Sequence, residues 1–274
     1  MIILRKLFSK DKSDRRERVS NQTNSKIKGA AAIGAGIGLN TALGSKLMDH
    51  WQKSPTPEEK AQFEKLKNGV TKSGIAKSVS NASYMQGPAY HPGFDDIGMA
   101  GIKDPGSLGH EAGHAYYEKQ IAGKIKGKGA ADKIGKYSHK AYFKMGGTAG
   151  TFMGLSPLSG IASGAISGTR AAKKEAKGEK ESKLNRHMAW ALPVMVAAPG
   201  LVAEGMASRK GIRMLKESGA SKKIINNAKK SLAGAWSTYG AFTAANAGVG
   251  ELSRGIAYKC TKKKKLERNK KKED

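Results

Sequence analysis

The chain has 274 residues, with 50 Lys and Arg against 22 Asp and Glu, so its formal net charge is +28. Such a charge favours anionic partners, either nucleic acid or the anionic surface of a membrane. Aromatic residues are only 6% of the chain, and no zinc finger or DNA-binding helix pattern accompanies the charge, which argues against nucleic acid. The single cysteine, Cys260, excludes an intramolecular disulfide and a cluster of thiolate ligands.

Residues 1–28 are predicted to form a basic N-terminal arm. Met1-Ile2-Ile3-Leu4 is followed at once by Arg5-Lys6 and a highly charged run. The arm therefore lacks the apolar core of a secretory signal.

Four stretches rich in Gly and Ala are predicted as apolar spans: 29–45, 145–169, 187–203 and 231–257. The first three carry no Asp, Glu, Lys or Arg, and the fourth carries none as far as Gly250. Each approaches the length of about 20 residues that a membrane-spanning helix needs. None is strongly hydrophobic, but small residues let helices pack closely in lipid. The pattern predicts a mainly α, multi-pass integral membrane protein with a small amount of β structure.

The region 46–144, between the first two spans, is predicted to be a small soluble part. Thr56-Pro57-Glu58-Glu59 is a capping box that starts a helix, which is expected to end near Asn68-Gly69. Residues 94–100 are predicted as a short strand. His91 and Asp95 or Asp96 could support a nearby site, but an exposed polar loop is the simpler interpretation.

A second helix of this region is predicted from Asp104-Pro105 to Gly123, and it carries His110-Glu111-Ala112-Gly113-His114. Two histidines four residues apart leave the same face of a helix and can bind one Zn²⁺ at about 2.0 to 2.1 Å. Glu111 would then act as the general base for a metal-activated water. The small residues Gly109, Ala112 and Gly113 would allow close packing around the site.

A third ligand is needed, because catalytic zinc sites use three protein ligands and leave one position open. The candidate is Glu204, which follows the uncharged run 187–203 and begins the region 204–230, predicted as a new helix. An unpaired carboxylate in apolar surroundings is costly, and coordination to a cation offsets that cost.

This order of motifs resembles the bacterial membrane-bound neutral zinc metallopeptidases and, more distantly, the heat-shock-type membrane zinc proteases. The matching residues are H-E-x-G-H at 110–114, E-x-x-A-S-R-K at 204–210, and Leu215 with Gly219. The resemblance implies a zincin-like core, a protein or peptide substrate, His110, His114 and Glu204 as zinc ligands and Glu111 as base. It also implies that the strand at 94–100 pairs with an extended substrate.

Several residues are left with open roles. Ser208, one turn beyond Glu204, could hydrogen-bond a ligand or be a plain surface serine. Candidates to stabilise the oxyanion are Tyr117, Tyr239 and Arg209. His50, His139 and His187 have no partner spacing and are predicted to be ordinary polar residues.

The basic connector 170–186 and the basic tail 258–274 complete the chain, and the tail is expected to be disordered or held to anionic membrane lipid. The sequence thus predicts a zinc-dependent membrane endopeptidase. The alternative is a non-enzymatic membrane-associated protein whose glycine-rich helices oligomerise and whose basic arms bind lipid. The side of the membrane that would carry the site is left open.

Overall fold

Helices dominate the structure, as the sequence predicts, and the only sheet in the described residues has three short strands. The computed structural model describes residues 30–38, 41–42, 45, 49, 53–83, 87–144 and 149–273. The predicted basic arm, residues 1–28, lies outside them.

Within the described ranges, six helices and three strands follow in chain order after a helical stretch at 30–38. Helices α1 to α6 are Pro57–Lys72, Pro105–Ile121, Gly129–Lys144, Ala149–Glu175, Lys183–Glu217 and Lys222–Glu273. Strands β1 to β3 are Ser78–Ser80, Ala89–His91 and Asp96–Gly98. The chain divides into two units: the first comprises the described parts of 1–38, 153–197 and 241–274, and the second those of 39–152 and 198–240.

In the second unit, helix α1 begins at the predicted capping box. The Thr56 hydroxyl accepts a hydrogen bond from the Glu59 backbone N–H at 3.2 Å, and the Glu59 carboxylate accepts one from the Thr56 N–H at 2.9 Å. The helix does not end at Asn68-Gly69 but continues to Lys72. It ends where Gly74 adopts a φ of 69°, a conformation open to glycine, which shows that a single helical glycine at 69 was too weak a stop signal.

The sheet of the second unit has the order β1-β3-β2, with β1 parallel and β2 antiparallel to β3. Strand β3 lies within the predicted 94–100 segment and contains the buried Ile97. Because both of its edges are paired, the prediction that this segment pairs with a substrate is wrong. The two edge strands are β1 and β2, and neither was predicted from the sequence.

Helices α2 and α5 approach each other closely in the second unit. A Cβ added at Gly113 would collide with the backbone of Ala207, and Gly109 and Gly211 lie directly opposite each other. The small residues that were predicted to allow close packing therefore do so. This contact brings the backbone of the histidine helix against the helix that carries Glu204.

Helix α5 is continuous from Lys183 to Glu217, so the prediction of a new helix at residue 204 is wrong. Pro193 and Pro199 are both inside it. Pro193 has no N–H and leaves the carbonyl of Ala189 without its helical donor, and the Ser163 hydroxyl donates to that carbonyl at 3.3 Å. A neighbouring helix thus satisfies the freed backbone group and lets the helix continue.

The first unit is held together by small residues and serine hydroxyls. Gly160, Gly164 and Gly168 follow one face of α4 and lie against the backbone of α6 between Asn246 and Tyr258. Ser167 donates to the carbonyl of Asn185 at 2.5 Å, and the Asn185 amide donates back to the carbonyl of Ser167 at 3.0 Å. These glycine faces are used within the chain, and helices pack in this way when small residues are spaced by one turn.

The predicted disordered tail is helical, because α6 extends through it to Glu273. Tyr258 is buried, and Lys262 pairs with Glu175 at 3.1 Å. Helices α4 and α5 also take up most of the predicted connector 170–186, ending at Glu175 and beginning at Lys183. The intrinsic helix propensity of Lys, Arg and Glu outweighs the charge repulsion along these segments.

Helix α5 is long and apolar enough to cross a membrane by length and composition, with a mean hydropathy of 1.4 in its most apolar window. It contains the predicted span 187–203. Within the described residues it is the one helix of this kind.

We predict that Gly113→Ala destabilises the protein by about 1 to 3 kcal/mol, because the added methyl group overpacks the contact with Ala207. The measurement is thermal or denaturant unfolding of the purified protein. The matched control is Gly69→Ala, a helical position with nothing within 4 Å of an added Cβ; it should be neutral or stabilising by up to about 1 kcal/mol. Equal stability of the two variants would contradict the role given to this contact.

Candidate metal centre

The two histidines of α2 and the glutamate of α5 meet at one point in the second unit. His110 Nε2 lies 3.1 Å from Glu204 Oε2, His114 Nε2 lies 3.4 Å from the same oxygen, and the two Nε2 atoms are 3.3 Å apart. The His114 and Glu204 side chains are buried and that of His110 is 16% exposed. The structure thus brings together all three of the predicted ligands.

The triangle of these three atoms has the size that a tetrahedral ion needs. Ligand atoms at about 2.0 to 2.1 Å from a tetrahedral zinc are separated from each other by about 3.3 to 3.4 Å. The observed separations of 3.1 to 3.4 Å match this spacing. A metal ion bound to all three would need almost no movement of the side chains.

The tautomer of His114 is set by a chain of hydrogen bonds. His139 Nδ1 lies 2.8 Å from the carbonyl oxygen of Gly135, so it must carry the proton and donate. His139 Nε2 is then the acceptor for His114 Nδ1, 3.0 Å away. Burial lowers the pKa of His139 to about 3, which keeps its ring neutral. His114 is therefore left with a lone pair on Nε2, the atom that points at the candidate metal position.

The other two ligands are also oriented by neighbours. His110 Nδ1 lies 3.0 Å from the Ser208 hydroxyl, so the hydrogen bond considered for Ser208 is present. Burial and the charge of the Glu204 carboxylate raise the pKa of Tyr142, so its hydroxyl stays protonated and is able to donate a hydrogen bond to that carboxylate. Each ligand thus has a partner of the kind that holds metal ligands in place.

The arrangement of the three ligand atoms favours positive charge between them. The Nε2 atoms of His110 and His114 and one oxygen of Glu204 lie within 3.4 Å of one another. Burial disfavours a charged His110, but the hydrogen bond to Glu204 and the charge of Glu111 outweigh it and raise the pKa of His110. A proton on His110 Nε2 makes the hydrogen bond to Glu204, so protons compete with a metal for this site.

Glu111, the residue after His110 on α2, lies beside the same point. Its Oε1 lies 3.9 Å from His110 Nε2, and its Oε2 accepts a hydrogen bond of 2.8 Å from the backbone N–H of Tyr90 in the edge strand β2. Burial raises the pKa of Glu111, a shift that makes a carboxylate a stronger base. One oxygen is thereby anchored while the other remains beside the ligand triangle.

A cavity of about 100 Å³ opens onto the triangle. Its lining includes Glu111, Trp236 and Tyr239, together with His110, Glu204 and Ser208. Of the three oxyanion candidates, Tyr239 is the one that lines this cavity. Tyr117 instead stacks on the ring of His139 with centroids 4.5 Å apart, and Arg209 lines a separate, larger cavity.

The prediction that His139 is an ordinary polar residue is wrong, and Tyr142 was not considered. Both lie on α3, three residues apart and on one helix face. Gly135, one turn earlier, leaves room for the Tyr117 ring, which would collide with any Cβ there. The G-x-x-x-H-x-x-Y spacing was a usable signal only if α3 was already known to pack on α2.

Asp95 and Asp96 have structural partners. Asp95 pairs with the buried Lys119 at 2.5 Å, and Asp96 accepts hydrogen bonds from the hydroxyls of Ser78 and Ser80. The Asp95–Lys119 pair ties the segment before β3 to α2, and the hydrogen bonds of Asp96 tie β3 to β1. His91 stacks on Phe94 with ring centroids 4.6 Å apart.

We predict that His139→Leu lowers the affinity for Zn²⁺ by about 10- to 100-fold, because His114 loses the acceptor that fixes its tautomer. His139→Gln retains an acceptor and should recover part of the affinity. The measurement is competition with a chromophoric chelator, with His187→Leu as the control for a histidine outside this cluster. Wild-type affinity in His139→Leu would contradict the orienting role of His139.

The second unit thus contains three converging ligand atoms, an anchored carboxylate beside them and a small cavity that reaches both. Comparisons with models of protein families, with curated proteins and with solved structures gave no match.

Proposed function

We propose that the protein is a zinc-dependent endopeptidase, with His110, His114 and Glu204 as zinc ligands and Glu111 as the general base. The observation that carries the proposal is the triangle of ligand atoms with separations of 3.1 to 3.4 Å. The ligand types, two imidazoles and one carboxylate, suit Zn²⁺ and leave a fourth position open, as in catalytic sites.

The chemistry divides between the metal and the side chains. Zn²⁺ at this site would lower the pKa of a coordinated water to near 7 and polarise the scissile carbonyl. Glu111 takes the proton of the attacking water on Oε1, because Oε2 is held by the Tyr90 N–H. It can then pass that proton to the departing amine, which completes the hydrolysis of the peptide bond.

Tyr239 is proposed to donate a hydrogen bond to the developing oxyanion. It lines the same small cavity as His110 and Glu111, so a carbonyl bound there would lie within reach of its hydroxyl. A preorganised donor of this kind typically contributes about 10²- to 10³-fold to the rate.

The proposed setting is a membrane, with a zincin-like core in the second unit. Helix α5 is the principal support, since it is long and apolar enough to span and carries Glu204. The first unit packs through glycines and serine-to-backbone hydrogen bonds, the contacts that suit helices in lipid. We include the weaker stretches 29–45, 145–169 and 231–257 as further spans, which makes the protein multi-pass, with basic segments against anionic lipid.

Metal content tests the ligand set. Elemental mass spectrometry of detergent-purified wild type should give about one zinc per chain, and His110→Ala and Glu204→Ala should each lose it. His187→Ala, which removes a histidine outside the site, should retain it. Folded wild-type protein without a bound metal would favour the alternative, a non-enzymatic membrane-associated protein.

Proteolysis tests the role of Glu111 separately. Glu111→Gln should retain zinc but hydrolyse an unstructured protein substrate about 10²- to 10⁴-fold more slowly, because it removes the base and keeps the ligands. Zinc content and rate should be measured on the same preparation. Unchanged hydrolysis by Glu111→Gln would show that any activity comes from another group or a contaminant.

A further inference from the structure

The second unit contains another, larger cavity, and the charged side chains that line it are almost all positive. Its volume is about 560 Å³, and it is lined by α5, the first turns of α3 and the part of α6 near Leu232. Six of its lining residues are cations, and one, Asp132, is an anion. We call it the basic cavity and define it by those cations: Lys128, Arg209, Lys210, Arg213, Lys216 and Lys229.

The positive charge of the basic cavity is almost uncompensated. Arg213 pairs with Glu217 at 2.7 Å, but both side chains are more than half exposed, where such a pair is weak. The other five cations make no ion pair within the described part of the chain. The carboxylate of Asp132 is buried and already accepts hydrogen bonds from the Lys128 N–H at 2.6 Å and the Tyr116 hydroxyl at 3.3 Å.

The walls between the cations are apolar and aromatic. Met206, Ile212 and Trp236 line the cavity with Tyr117, and the Lys210 ammonium lies 3.6 Å from the centroid of the Tyr116 ring. An occupant therefore meets apolar surface and fixed positive charge together. An extended peptide with carboxylate side chains has this combination, since its backbone and aliphatic stems contact the walls while its charges meet the cations.

The basic cavity adjoins the small cavity of the candidate metal centre. Ser208, Leu232 and Trp236 line both. This adjacency favours a substrate chain over a lipid headgroup as the occupant, because an extended chain is long enough to lie across both cavities.

Helix geometry gives the register of such a chain. Arg209, Arg213 and Lys216 follow Glu204 on α5 by about 7, 14 and 18 Å at 1.5 Å per residue. An extended peptide advances about 3.3 Å per residue. A chain that runs along α5 from the metal ligands would place residues about two to five positions from the scissile bond beside these cations.

We infer that the basic cavity is a substrate subsite that selects acidic peptides, with Asp or Glu about two to five residues from the scissile bond. The inference rests on the proposed function, because it takes the occupant to be the segment flanking the cleaved bond.

The test measures binding without hydrolysis. The Glu111→Gln protein in neutral-lipid nanodiscs is titrated into two fluorescent 12-residue peptides that are identical except for Glu or Gln at the positions flanking the central bond. We expect the Glu peptide to bind about tenfold more tightly. We expect Arg209→Gln, Lys216→Gln and Lys229→Gln together to remove this preference.

The matched control is the triple variant Lys60→Gln, Lys72→Gln and Lys77→Gln, which removes the same charge from exposed positions of the second unit outside the cavity. It should keep the preference. Equal loss in the two triple variants would overturn the inference in favour of a general effect of net charge. The inference would also be overturned if the cavity variant kept the preference for the Glu peptide but no longer bound phosphatidylserine vesicles, because the occupant would then be lipid.

Cleavage of the same peptides by the protein with an intact Glu111 separates the two proposals. Equal cleavage of the Glu and Gln peptides, with no difference in binding, would overturn the acidic subsite and leave the peptidase standing. Preferential binding of the Glu peptide, lost in the cavity variant but without cleavage of either peptide, would support the subsite and overturn the proposed activity.

Discussion

The close approach of α2 and α5 is the contact on which the candidate metal centre depends. Gly109 and Gly113 face Gly211 and Ala207 with no room for a larger side chain. Because the two backbones are so near, the side chains of His110 and His114 are long enough to meet the side chain of Glu204. A core built from larger residues would hold the helices at the usual 8 to 10 Å and separate the ligand atoms. Glycine lowers the helix propensity at these positions, but its lack of a side chain permits the close approach of the two helices on which the site depends.

The orientation of the ligand lone pairs is the second constraint, and it depends on residues that are not themselves ligands. The proton on His139 Nδ1 is fixed by the carbonyl of Gly135, and this fixes the proton on His114 Nδ1 in turn. Helix α3 therefore contributes to metal affinity without supplying a ligand. A neutral, buried partner also avoids placing a further carboxylate beside Glu204 and Glu111, where like charges would repel.

The sequence predicted what depends on local patterns and missed what depends on packing. The capping residues Thr56 and Asp104 start their helices as predicted, and the histidines lie on the expected helix face. The continuity of α5 was missed because it depends on a hydroxyl from another helix, Ser163, which satisfies the carbonyl freed by Pro193. His139 was missed for the same reason. Its role exists only once α3 packs on α2, a long-range contact that no short spacing in the sequence records.

The structure shows where some of the charged side chains lie relative to the candidate site. The two acidic groups of the candidate site, Glu111 and Glu204, are buried beside the position of a divalent cation, whereas the cations of the basic cavity begin about 7 Å further along α5. At physiological ionic strength charges are screened over about 8 Å, less so where water is excluded. The nearest cations therefore oppose a metal at the triangle in part, and the buried carboxylates of Glu111 and Glu204 offset this repulsion. Positive charge at this distance strengthens the binding of an acidic peptide. The carboxylate ligand, Glu204, and the base, Glu111, keep the site itself compatible with a metal ion.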